Sequence, residues 1–286
     1  MDQSSIYRKA TLSFSKDGIT PWTIFNEICN FKRDKSIFYG IPPGREKELQ
    51  QALDTIADVY KGQCYANDML ICLWRNLSFR YDQKFMSCFS ASVTGVREGS
   101  LLWRLHTLAW AAKNALNVDG DFVECGVFKG FCSEVILKYL DFQELPRLAY
   151  LYDTFEGLPE KTSTAEERRE WDYSMFDWEA IYPAVCQKFS KYKNVNIVRG
   201  IVPDSFEEAV PEKIAFLHID MNSEKAEMLA LEHLFNRVTP GGFIVFDDFG
   251  WTCNLNQMSA QLAFMNARGH HILELPTGQG VVIKHI

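Results

Sequence analysis

Residues 120–140 read GDFVECGVFKGFCSEVILKYL, and this stretch decides the fold. The apolar run 122–125 is short and continuous enough for a buried strand, while residues 131–140 carry the longer pattern of a helix. Between them stands Glu124-Cys125-Gly126-Val127-Phe128-Lys129-Gly130, an E-x-G-x-x-x-G turn. Gly126 and Gly130 let the backbone approach a ligand, and the helix behind them offers free N–H groups and a partial positive charge to a carboxylate or phosphate. The spacing is not the G-x-G-x-x-G of dinucleotide sites, which weakens that reading. Taken alone, the turn is equally an ordinary tight strand–helix connection.

The same texture repeats downstream. Short apolar runs at 122–125, 148–152, 195–198, 214–219 and 243–246 are separated by segments mostly long and periodic enough to be helices. Near-continuous apolar strands alternating with helices predict an α/β fold with a parallel sheet covered on both faces. The end differs: runs 271–274 and 280–284, joined by Leu275-Pro276-Thr277-Gly278-Gln279, fit an antiparallel hairpin. Polar residues 159–178 interrupt the third strand–helix unit and are expected to be an insertion, either a mobile cover or a substrate-facing loop. The charge run Glu166-Glu167-Arg168-Arg169-Glu170 within it reads as a solvated helix face.

Upstream the pattern changes. Residues 46–60 place Leu49, Leu53, Ile56 and Val59 at helical spacing behind the breaker Pro42-Pro43-Gly44, and residues 67–89, rich in Met, Leu, Trp and Phe, are expected to be helical too. Residues 99–117 carry Leu102, Leu105, Leu108 and Ala109 on one face and read as the helix that docks on the sheet. The chain therefore divides into a helical N-terminal region, 1–98, and an α/β domain, 99–286.

Composition sets the outer bounds. Of 286 residues, 47% are hydrophobic and 23% charged, which supplies a sizeable core and excludes both wholesale disorder and a small disulfide-stapled fold. A formal charge of −7 gives no field for collecting phosphate backbones, so nucleic acid is not an expected partner. The first residues lack the apolar segment of a secretory signal, and no run approaches the ~18 apolar residues of a membrane span. A soluble, cytoplasmic protein without a membrane partner is expected, and a homo-oligomer is left open. Eight cysteines without a C-x-x-C pair read as reduced thiols rather than a zinc site or disulfide framework.

Several strand ends carry polar groups. The second ends in Asp153-Thr154, where doubly wound folds hydrogen-bond a ribose hydroxyl, although Asp also favours caps and turns. The third leads to Gly200-Ile201-Val202-Pro203-Asp204-Ser205, a turn where an adenine could rest, or where Asp204 or Ser205 caps residues 206–209. The fourth ends in His218-Ile219-Asp220-Met221-Asn222 and the fifth in Asp247-Asp248. Three carboxylates at neighbouring strand ends converge on the crevice where open α/β sheets bind ligands, and such hard oxygen donors suit Mg²⁺. The competing reading makes Asp220 a cofactor contact or cap and Asp247-Asp248 a turn.

Taken in order, GDFVECGVFKG (120–130), LYDTFEGLPE (151–160), IAFLHIDMN with the following ALEHLF (214–235), TPGGFIVFDDFGW (239–251) and LPTGQGVVIK (275–284) resemble the macrocin O-methyltransferase (TylF-type) family of class I, S-adenosylmethionine-dependent enzymes. The resemblance runs from about Arg104 to the end of the chain. It implies a Rossmann-like seven-stranded sheet with an antiparallel C-terminal hairpin strand. It further implies S-adenosyl-L-methionine bound by the Glu124–Gly130 turn, with Gly126 and Gly130, and by Asp153, and Mg²⁺ or another divalent metal on Asp220, Asp247 and Asp248; Cys132, Thr154, Asp204, Ser205 and Asp220 are further cofactor candidates by their positions. The implied reaction is methyl transfer to a hydroxyl of a sugar-like or polyhydroxylated small molecule.

This chain departs from the family pattern in two places. Many members carry Asp-x-Asp after the fourth strand, the second Asp serving as base, whereas here Asn222 follows Asp220 and cannot accept a proton. Asn is a preferred helix N-cap, so Asn222 also reads as the cap of the run behind it. Cys132 replaces a Ser often found after the glycine turn and is a poorer donor. The catalytic candidates are Asp220, Asn222 and His218, the last on the same sheet face as Asp220 but also readable as a core histidine. A catalytically silent S-adenosylmethionine-binding protein is the alternative that Asn222 leaves open. Trp251 reads either as an apolar substrate wall or as core, and His270, His271 and His285 as solvated.

Overall fold

The computed structural model describes residues 41–60, 64–171 and 173–286. Helix α1 (Glu46–Val59) forms where the spacing predicts a helix, but of the expected face only Leu53 is buried, together with Ala57, and Val59 is exposed. Next comes an antiparallel hairpin, β1 (Cys64–Asn67) with β2 (Leu70–Leu73), where a helix over 67–89 was expected. Asp68 and Met69 turn it in the left-handed region, at φ 50° and 61°, and a chain reversed there cannot propagate a helix. The apolar richness of this stretch reports burial, not period. Helix begins only at α2 (Gln83–Ser92), where the Asp82 side chain accepts the Phe85 N–H. A short α3 (Val96–Ser100) leads to α4 (Leu102–Ala115), which buries Leu102, Leu105 and Leu108 completely.

The sheet then forms from β3 (Asp121–Cys125), α5 (Phe131–Tyr139), β4 (Ala149–Asp153), α6 (Ala165–Glu170), α7 (Trp178–Phe189), β5 (Val195–Arg199), β6 (Ile214–Ile219), α8 (Glu224–Leu234), β7 (Val238–Phe246), α9 (Leu255–Asn266), β8 (Leu273–Glu274) and β9 (Gly280–Ile283). Its order is β5-β4-β3-β6-β7-β9-β8. The first five strands in that order are parallel, and β9 runs antiparallel to both β7 and β8. From β3 the chain winds outward through β4 to β5, then returns to the other side of β3 with β6. The crevice beyond the carboxyl ends of β3 and β6 is therefore the switch point at which such sheets bind ligands. Residues 159–178 lie between β4 and α7, in the second strand–helix unit of the sheet rather than the third.

Alternate strand residues feed two cores. Phe122, Leu151, Phe216 and Val245 pack with α2, α4 and α5 on one face. Val123, Tyr152, Leu217 and Ile244 pack with α8 and α9 on the other, which is the two-residue period of a sheet covered twice. Tyr65, Phe79, Phe85 and Phe89 belong to the first cluster, so the hairpin and α2 share a core with the sheet. His270, expected at the solvated edge, is instead buried, edge-on to Phe235 at 5.3 Å and stacked on His285 at 4.0 Å. All cysteines among the described residues are free, and no described helix is long and apolar enough to cross a membrane.

Candidate active site

A cavity of about 450 Å³ opens at the switch point. Gly126, Asp153, Thr154, Asp220, Asn222, Asp247 and Asp248 all reach its wall, as does Trp251. Glu124, Gly130, Cys132, Asp204, Ser205 and His218 do not. Gly126 is held at φ 94°, and a Cβ there would stand 1.7 Å from the Asp220 carbonyl oxygen. Only glycine permits β3 and the end of β6 to approach this closely. The first glycine of the turn thus sets the position of Asp220.

Asp153 clasps the same turn. Its Oδ2 accepts the Val127 and Phe128 N–H groups at 2.8 and 2.7 Å, and its Oδ1 accepts Phe155 N–H at 2.6 Å. Burial raises its pKa against these three bonds, and of roughly four lone-pair sites on a carboxylate one remains free for a ligand. Gly200, Ile201 and Val202 line the cavity next to it. Neither Asp204 nor Ser205 acts as a helix cap: residues 204–207 form a 3₁₀ turn behind Pro203, and Asp204 pairs with Lys161.

The acidic centre lies at the ends of β6 and β7. Burial, reinforced by Asp247 and Asp248, raises the Asp220 pKa well above the carboxylate range. Burial and Asp247 together raise Asp248 to about 6. Asp247 stays below the usual range because Arg104 and His218 outweigh its burial. Arg104, on α4, is the residue that sequence reasoning missed: Nη1 lies 2.5 Å from Asp247 Oδ2 and 3.5 Å from Asp248 Oδ1, and Nε lies 2.6 Å from Asp68 Oδ2. Its signal was a lone charge inside the apolar run LLWRLHTLAW.

Beneath the wall, fully buried His218 pairs through Nδ1 with Glu124 Oε1 at 2.9 Å, and Ser133 Oγ donates to the other Glu124 oxygen. Glu124 and His218 are register partners on β3 and β6, so the glutamate expected at the cofactor points along the sheet instead. Burial opposes charge on His218, but Asp247 and Glu124 outweigh it and raise its pKa to about 10. Nε2 makes no hydrogen bond and lies 3.5 Å from Asp247 Oδ1. Ligand atoms of His218, Asp220 and Asp247 fall within 4.8 Å of one another. The carboxylate oxygens of Asp220, Asp247 and Asp248 are hard donors that a divalent cation fits, whereas His218, held charged by Asp247 and Glu124, is a counter-charge beneath them rather than a donor.

Asn222 is not the cap of α8. It adopts φ 52° and its Nδ2 donates to Asp220 Oδ1 at 3.3 Å, while Ser223 occupies the cap position. The free Glu224 N–H is taken by Glu167 Oε1 at 2.9 Å. Glu167 also completes a capping box with Thr164 at the start of α6, so it is no solvated bystander in the charge run. Trp171, Tyr173 and Trp178 line the cavity from the 159–178 side. Phe128, in the glycine turn, packs against Phe176 at 4.8 Å and Trp178 at 5.9 Å.

Residues 98–272 match the macrocin-O-methyltransferase (TylF) family. The chain belongs to that family. Among relatives of this TylF-family chain is the mycinamicin III 3''-O-methyltransferase of Micromonospora griseorubida, 30% identical over 51% of this chain and 62% of that protein. Another, a tetracenomycin rhamnosyl 4'-O-methyltransferase of Streptomyces olivaceus, is 28% identical over 52% of this chain and 60% of its own length. The match thus spans about six-tenths of the curated relatives. Of solved structures, the O-methyltransferase NovP superposes with a TM-score of 0.56 at 20% identity, over 66% of this chain and 82% of that one. The calicheamicin methyltransferase CalS11 superposes with a TM-score of 0.54 at 14% identity, over 95% and 99%. At these identities both show the class I methyltransferase fold.

Proposed function

We propose that this TylF-family chain is an S-adenosylmethionine-dependent O-methyltransferase whose acceptor is a hydroxyl on a sugar-like or polyhydroxylated small molecule, assisted by a divalent metal. The reading rests on one observation above the others: the glycine turn, the acid at the end of β4 and the acidic centre open into a single cavity. The methyl donor supplies an electrophilic methyl carbon on a sulfonium. Asp153, with one lone-pair site left, accepts a ribose hydroxyl, and residues 200–202 provide the neighbouring wall for an adenine.

A divalent cation held by Asp220, Asp247 and Asp248 would supply Lewis acidity that lowers a bound hydroxyl's pKa. The chain's own residues do the rest. Trp171, Tyr173 and Trp178 shield the reacting groups from water and present flat apolar faces to a ring-shaped acceptor. Asn222 donates to Asp220 and aims it. With His218 sealed beneath the wall and Asn222 unable to take a proton, the acceptor's proton goes to a carboxylate lining the cavity or to water. Holding acceptor oxygen, methyl carbon and sulfur in line supplies much of the rate.

The test is calorimetric titration with S-adenosylhomocysteine, then methyl transfer from labelled donor to a panel of glycosylated acceptors with and without EDTA. Binding near micromolar and an EDTA-sensitive product are expected. No binding sinks the cofactor reading, and full turnover in excess EDTA removes the metal.

A further inference from the structure

We infer that Arg104 is a resident counter-ion of the acidic centre, one that an incoming divalent cation must share or displace, and that Asp68 is the partner that retains it. The inference rests on the metal reading above. Arg104 is nearly sealed, as are Asp68, Asp247 and Asp248. Its planar fork divides between two sites. Nε and Nη2 face Asp68 at 2.6 and 3.4 Å, while Nη1 faces Asp247 Oδ2 at 2.5 Å and Asp248 Oδ1 at 3.5 Å. The guanidinium also lies over the Trp251 ring, 4.8 Å from its centroid.

Asp247 therefore has both oxygens engaged, since its Oδ1 accepts Gln279 Nε2 at 2.8 Å. A cation arriving at Asp247 meets an existing positive charge on the same carboxylate. In a buried centre that repulsion is screened less than between exposed charges. His218 Nε2, fully buried 3.5 Å from Asp247 Oδ1, sets a second cationic partner on the same carboxylate from the sheet side. Asp68 gives Arg104 a second anchor, delivered by the left-handed turn of the β1–β2 hairpin. If Asp68 loses its charge, the whole attraction of the guanidinium falls on Asp247 and Asp248, and a metal binds less readily.

The two substitutions therefore act in opposite directions. Mn²⁺ is titrated calorimetrically into the full chain, its Arg104→Gln and Asp68→Asn variants, and a control, Lys213→Gln. Lys213 pairs with exposed Asp119, where the chain enters β3, away from the carboxyl-end crevice, and its loss changes net charge by the same amount as loss of Arg104. Arg104→Gln should bind roughly tenfold tighter and Asp68→Asn roughly tenfold weaker, with Lys213→Gln unchanged. Mn²⁺ should also raise the melting temperature of Arg104→Gln more than that of the unaltered chain. Equal or weaker binding by Arg104→Gln, or an equal gain in Lys213→Gln, overturns the inference alone. Mn²⁺ bound by no variant overturns the metal reading and this inference with it. Should Arg104→Gln fail to fold, Asp68→Asn decides: weaker binding supports the inference, and equal or tighter binding overturns it.

Discussion

Two residues concentrate the chemistry of the crevice in their backbone conformation. Gly126 is fixed by the Asp220 carbonyl lying where its Cβ would be. Gly126→Ala should cost at least about 1–2 kcal/mol from the left-handed φ alone, and the clash should displace Asp220. A denaturation midpoint shift with loss of S-adenosylhomocysteine binding checks this; unchanged binding would mean the turn can flex away from β6. Asn222, also left-handed, donates to Asp220. Asn222→Asp keeps the size and the tolerated backbone but replaces a donor by a second carboxylate. Turnover should change less than about tenfold or rise near neutral pH. If the unaltered chain is inert toward every polyhydroxylated acceptor while the variant is active, the chain as it stands is a binding protein. The sequence placed Asn222 at a helix start, and the error was one residue: Ser223 holds the cap position.

Among elements, the 159–178 segment depends on Glu167. This side chain accepts the N–H groups of Thr164 and Glu224 and lies 3.2 Å from Ser223 Oγ, tying α6 to α8 beside Asp220. Glu167→Ala removes caps worth about 1 kcal/mol each, so amides of residues 164–168 and Glu224 should exchange with deuterium faster, and KM for acceptor should rise. Exchange no faster than in the unaltered chain would disprove the tie. Strands were legible because a buried parallel strand is a short apolar run, as in the apolar residues of β4 and β6 and in the 243–246 half of β7, and β3 kept the pattern despite Glu124. The β1–β2 hairpin was not, because its left-handed turn sits on Asp68-Met69, without the glycine that marks such turns.

At the scale of the whole molecule, the buried groups with raised pKa values share one sign of pH dependence, and Asp247, held low by Arg104 and His218, opposes them only in the acid range. Asp220, Asp248 and Glu227 have raised pKa values, burial being the first cause in each, so folding takes up protons and stability falls as pH rises through them. His218, raised to about 10 despite burial by Asp247 and Glu124, contributes stability that is complete below the ordinary histidine value and is lost as pH rises through the higher one. In chelator-treated protein the melting temperature should therefore rise as pH is lowered from about 8 to about 5.5. A flat or falling profile would show that these groups are paired differently in solution. The strand-end acids of the centre were legible because each closes an apolar run. Arg104 and Asp68 were not, because nothing in sequence links positions 36 and 143 residues apart. That separation bears on how the chain is made. Arg104 leaves the ribosome long before Asp247 and Asp248 exist, and Asp68 leaves before it. Of the three carboxylates that surround Arg104, Asp68 is the one the growing chain already carries when Arg104 is made, and the other two come more than a hundred residues later.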